Sequence, residues 1–86
     1  MVYAVESTET FEREFEKKHR DKIKWLRRIK EKLQQNPEYG KPLRGRLHGT
    51  WQIRIGPFRV WYEINNDEKR VMLKAILHKD EAEKYY

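Results

Sequence analysis

Apolar residues recur along this chain in two rhythms. A short apolar run, Val2–Val5, has the length of a strand and closes at Glu6-Ser7-Thr8. Ser7 or Thr8 is a candidate helix N-cap, because a hydroxyl can accept a bond from an unpaired first-turn N–H. Glu9 and Glu12 suit the positive end of the helix dipole, and Phe11 and Phe15, four apart, share one helix face. Asp21 is a candidate cap for a second helix with Ile23, Leu26, Ile29 and Leu33 as its apolar stripe and Trp25 at the flank. Asn36-Pro37 ends that helix, since the residue before proline is pushed out of the helical region. A loop punctuated by Gly40, Pro42, Gly45 and Gly49 follows, with Leu43 and Leu47 as anchors. The rhythm then becomes strict alternation. Trp51, Ile53 and Ile55 oppose Gln52 and Arg54; after the Gly56-Pro57 turn, Phe58, Val60, Tyr62 and Ile64 oppose Arg59, Trp61 and Glu63. Beyond the turn at Asn65–Glu68, Val71, Leu73, Ala75 and Leu77 share one parity and Met72, Lys74 and Ile76 the other, which reads as a strand covered on both faces. A short C-terminal helical tail ends in Tyr85-Tyr86. The expected architecture is α+β in the order β-α-α-β-β-β: an antiparallel sheet packed on a two-helix N-terminal hairpin, with residues 1–86 as one domain. Alternation then places Gln52, Arg54, Arg59 and Trp61 together on the outer, open face of the sheet.

Charge sharpens this picture. Tyr39–Tyr62 carries Lys41, Arg44, Arg46, Arg54 and Arg59 and no Asp or Glu, so it holds +5 of the chain's +6. The flanking segments mix both signs. So local a bias is a footprint for a polyanion, a phosphate backbone or an acidic protein. Lys22, Lys24, Arg27, Arg28 and Lys30 in the second helix are read instead as its solvated face. With no cysteine there is no disulfide or thiol nucleophile, and His19, His48 and His78 lack the spacing of a metal site, so no cofactor or metal is expected. No apolar run has the length of a membrane span, and the first residues lack the basic head and apolar core of a signal peptide, so a cytoplasmic location is expected.

The string PLRGRLHGTWQIRIGPFRVWYEI resembles the core signature of the RelE/ParE superfamily of toxins from type II toxin–antitoxin systems. The match lies in a leucine-basic-glycine loop (residues 43–45), a strand of alternating apolar and basic residues (51–55), and an aromatic-Arg-apolar-x-Tyr strand (58–62). The element order is also that of the family. The resemblance to the RelE-like branch implies a messenger-RNA endoribonuclease (an mRNA interferase) that acts in the ribosomal A site and is neutralised by a cognate antitoxin. The implied chemistry is attack of a ribose 2′-OH on the adjacent phosphate. That requires a base, a positive group on the crowded phosphorane and an acid for the leaving oxygen.

The resemblance assigns catalytic roles to Arg54, to Arg59 of the aromatic-Arg motif, to the His78-Lys79 pair closing the last strand, and to Tyr86, with Tyr85 as its alternate. Gln52 stands where members often have a basic residue, and Lys79 replaces the bidentate arginine fork with a point charge. Arg44, Arg46, Gln52, Trp61 and Lys74 are candidate RNA contacts, Arg46 or Lys74 being candidate substitutes for the missing base at 52. Trp61 stacks on a nucleobase or meets the antitoxin. His48, in a glycine-flanked loop, is read as a surface residue. Two alternatives stay open: a ParE-like toxin that poisons gyrase, and a relative with weakened catalysis that binds RNA or protein.

Overall fold

The computed structural model describes residues 2–85. In chain order the elements are β1 (Ala4–Ser7), α1 (Glu9–Lys18), α2 (Ile23–Gln35), β2 (Lys41–Pro42), β3 (Thr50–Ile55), β4 (Phe58–Asn65), β5 (Arg70–His78) and α3 (Lys79–Glu83). Thr8 is the N-cap of α1, its hydroxyl accepting from the N–H of Phe11 at 3.1 Å. Asp21 does not cap α2. A 3₁₀ turn, Arg20–Lys22, fills the break between the helices, and the Asp21 carboxylate faces Lys22 Nζ at 3.5 Å instead. Helix α2 stops at Asn36, whose side-chain oxygen accepts from the N–H of Glu38.

The strands form one sheet in the order β1-β5-β4-β3-β2. The three long strands are an antiparallel meander, while β1 adds in parallel to β5 at the edge, pairing Ala4–Ser7 with residues 70–73. The helices cover one face. Phe11, Phe15, Leu26, Ile29 and Leu33 meet Ile53, Ile55, Val60, Tyr62, Val71, Leu73 and Ile76 in one apolar cluster. Burying each such side chain is worth about 1.5–3 kcal/mol, which is where a chain without disulfides finds its stability. Ile23, at the start of the expected stripe, is 42% exposed.

The parity of β5 departs from simple alternation. Trp61 pairs with Ala75 but Tyr62 pairs with Leu73, so Lys74 is an extra residue in a β-bulge. The bulge switches parity: Val71, Leu73 and Ile76 reach the core, whereas Ala75 and Leu77 do not. One inserted residue is enough to move the rest of a strand to the opposite face.

Candidate functional site

On the outer face the register sets the side chains in rows. Arg54 lies directly opposite Arg59, with Leu77 next on β5; the adjacent row is Gln52, Trp61 and Ala75. Directly opposed residues place their Cβ atoms about 4.5–5.5 Å apart. Two like charges at that range oppose folding, so the pair is held by the hairpin and not by its own attraction. Arg54 is exposed, and its guanidinium has no ion pair or hydrogen bond with any described residue. Arg59 is half-buried and tied down. Its Nη1 donates to the carbonyls of Gly56 at 3.0 Å and Phe58 at 2.9 Å. Those carbonyls belong to the tight turn, where Gly56 sits at φ +55°, a region that favours glycine. The Pro57 carbonyl accepts from the backbone N–H of Lys79 at 2.7 Å. The hairpin tip is thus fastened to the start of α3, and the Arg54–Arg59 pair sits one row inside it.

The second row is not open surface, contrary to the expectation for the outer face. Gln52 and Trp61 are buried, and the Trp61 indole N–H donates to Gln52 Oε1 at 2.9 Å. Helix α3 seals this region through Ala82, which is buried, and the ring of Tyr85 stands edge-on to Trp61 at 5.5 Å. Trp61 is therefore a packing platform for the C-terminal segment and not a free stacking surface. Tyr85 is more than half exposed and is the tyrosine that reaches this face; Tyr86 lies outside the described residues.

His78 and Lys79 do not join the arginine pair as a unit. His78 is the register partner of Phe58, which puts it on the core side of β5, edge-on to the Phe58 ring at 5.5 Å. Its Nδ1 accepts the Asp80 backbone N–H, capping α3, and lies 3.5 Å from the Asp80 carboxylate. Lys79 begins α3, exposed, beside the hairpin tip. Arg44 and Arg46 are exposed in the loop before β3, Arg46 within a 3₁₀ turn, Gly45–Leu47. Lys74, on the bulge, faces Glu63 at 4.0 Å and so is partly neutralised. His48 is exposed, as a surface residue should be. Among the described residues no cluster of three or more His, Asp or Glu is arranged to hold a metal ion.

A buried anchor shapes the loop that feeds this face. The Tyr62 hydroxyl donates to the Pro37 carbonyl at 2.8 Å and accepts the Gly40 N–H at 2.9 Å. Burial raises its pKa to about 12, against the lowering effect of the Gly40 hydrogen bond. Gly40 is required there, because an added Cβ would lie 2.6 Å from the Gln52 carbonyl oxygen and 2.7 Å from the Tyr62 hydroxyl.

A family model described as ParE toxin of type II toxin–antitoxin system, parDE, matches residues 5–83. The chain belongs to the ParE toxin family, within the RelE/ParE superfamily. Solved structures agree. The toxin is 29% identical to a chain of the toxin–antitoxin complex RelBE2 from Mycobacterium tuberculosis, with a TM-score of 0.80 over 91% of this chain and 99% of that one. Against a mutant of the E. coli toxin RelE in the free state the TM-score is 0.78 at 20% identity, covering 99% and 92%. Against the archaeal RelE–RelB complex from Pyrococcus horikoshii it is 0.75 at 18% identity, covering 92% and 97%. No curated protein matches the chain. This toxin of a toxin–antitoxin pair therefore has a RelE-like structure.

Proposed function

We propose that the toxin is an endoribonuclease that cleaves messenger RNA in the ribosomal A site. The observation that carries this reading is the Arg54–Arg59 pair, two guanidinium groups opposed across a hairpin with no described acid bonded to either. A phosphorane gathers negative charge on its non-bridging oxygens, and fixed cations aimed at it need no reorganisation as that charge develops. Arg59, held through Nη1 to the turn, is the fixed partner; Arg54 is the free fork that grips phosphate bidentately. In the reaction the ribose 2′-OH gives up its proton to solvent water at the open face, and its oxygen bonds to phosphorus. The bond to the 5′-oxygen then breaks and that oxygen takes a proton, leaving a 2′,3′-cyclic phosphate and a 5′-OH. Tyr85, against Trp61 on the same face, is the donor of that proton under this reading. Lys79 adds charge from the start of α3.

The toxin's partner under this reading is a cognate antitoxin whose acidic side chains meet the bare cations of Arg54 and the Arg44–Arg46 loop. The experiment is induced expression of the wild type beside an Arg54→Ala/Arg59→Ala double variant, with growth followed and the 5′ ends of messages mapped. Arrest with new cuts inside translated codons, lost in the variant, is the expected result. Arrest with intact messages and a DNA-damage response would replace this reading with gyrase poisoning. No arrest would leave a relative that only binds RNA or protein.

A further inference from the structure

The two helices treat their charges differently. On α1 and the turn after it, cations are matched to acids one helical turn away: Lys18 with Glu14 at 3.3 Å and Arg20 with Glu16 at 3.6 Å. Helix α2 carries Lys24, Arg27, Arg28, Lys30 and Lys32 with a single acid, Glu31, and none of these cations has an ion pair among the described residues. Lys24, Arg28 and Lys32 are exposed and spaced i, i+4, i+8, so they stand in single file about 6 Å apart along the helix. Two exposed rings flank the file. Trp25 is 49% exposed and Tyr39 50%, with Lys32 Nζ 5.6 Å from the centre of the Tyr39 ring. Trp25, Arg28, Lys32 and Tyr39 line one groove of about 290 Å³ whose other wall is the edge of β3, including Arg54. Strand β2 pairs with β3 only at Trp51 and Gln52, so this edge is uncovered beyond that point.

We propose that this groove is a track for single-stranded RNA, in which Lys24, Arg28 and Lys32 take successive phosphates and Trp25 and Tyr39 stack on bases. It leads to Arg54 and thus to the arginine pair. A solvated face of ordinary composition carries both signs, as α1 does. Cations in file with interleaved aromatics suit a strand that offers a charge and a flat ring at every nucleotide. An acidic peptide would satisfy the cations but offers no flat partner for each ring.

Binding along this track does not require that the toxin cleave RNA, so the test uses a 2′-O-methyl RNA of about 12 nucleotides, which has no 2′-OH to attack. Fluorescence anisotropy would measure its affinity against salt for the wild type, a Lys24→Gln/Arg28→Gln/Lys32→Gln variant, and a charge-matched control, Arg13→Gln/Lys17→Gln/Lys18→Gln. Glutamine keeps helix propensity, and circular dichroism verifies the fold. The expected result is a loss of at least tenfold in affinity for the α2 variant, with the slope of log affinity on log salt reduced by about two. The control is expected to move both far less. Trp25→Ala should weaken binding with the salt slope intact, as loss of a stacking ring does. Equal effects of both triple variants would reduce the finding to net charge and overturn the proposal. So would an unchanged α2 variant alongside an Arg54→Ala/Arg59→Ala variant that no longer binds, which would leave the cleavage site standing alone. A polyglutamate probe that loses binding to the α2 variant while the RNA does not would assign the face to an acidic protein instead.

Discussion

Trp61 and Gln52 are joined across β3 and β4 by a buried hydrogen bond of 2.9 Å, in the row next to the arginine pair. At this position the side chain is part of the architecture. A lysine at 52 cannot accept the indole N–H, and it would place an ammonium in a buried row. Gln52→Lys is therefore expected to lower stability by about 1–3 kcal/mol, the cost of an unsatisfied buried donor, without raising activity. Urea denaturation and a cleavage assay on the same protein check both parts; a more active and equally stable variant would show that the position is free to carry charge.

Under the proposed function, changes at Arg54 are expected to move stability and activity in opposite directions. Directly opposed like charges are destabilising and opposite charges worth about 0.2–1 kcal/mol. Arg54→Glu should thus raise the denaturation midpoint while abolishing growth arrest. Arg54→Ala should reduce cleavage about 10²–10³-fold, the usual cost of removing one preorganised donor. If Arg54→Glu were both destabilised and inactive, loss of fold alone would explain its inactivity.

The hairpin, its turn and the α2 stripe were legible in the sequence because each is local. Gly56-Pro57 fixes the turn, and alternation on both sides of it puts Arg54 opposite Arg59 without reference to anything else. The bulge at Lys74 was not legible, since an extra residue leaves no mark on composition and Ala75 and Leu77 look as apolar as Ile76. Nor was the burial of Gln52 and Trp61, which depends on where a tail well beyond Trp61 in the chain comes to rest. The side taken by His78 follows from the bulge as well. A parity carried through from Leu73 would have set it on the arginine face.

Tyr62 and Gly40 should behave as one unit. Tyr62→Phe removes both the acceptor for the Gly40 N–H and the donor to Pro37, with an expected cost of about 1–3 kcal/mol. Gly40→Ala should cost more, because its Cβ meets backbone on one side and the Tyr62 hydroxyl on the other. Combining them should cost less than the sum of the single changes, since residues in contact are not additive. Chemical denaturation of the four proteins checks the cycle.

His19 gives the stability a pH dependence. It is buried between Phe15 and Phe58, its Nδ1 has no partner among the described residues, and Lys22 lies nearby over the Phe58 ring. Burial first, then Lys22, lowers its pKa below 6.5. Below pH 6.5 the unfolded chain therefore binds a proton that the folded one resists, and stability falls as pH drops through that window. His19→Phe keeps the aromatic packing and removes the proton. It should gain on the wild type in urea midpoint from about pH 7.5 to about pH 5; parallel curves would exclude His19 as the cause.

Strand β1 has consequences for when this protein becomes itself. Its neighbour in the sheet is β5, so the first strand of this fold to be synthesised pairs with the last strand of the same fold. Closing a loop of that length must precede the contacts that reward it. The helical hairpin can form early, but β1 waits for residues 70–73. The nascent chain thus carries its basic residues past the translating ribosome in an unassembled state. The Arg54–Arg59 hairpin, whose tip is fastened to the start of α3, is therefore complete only once β5 and the residues after it are in place.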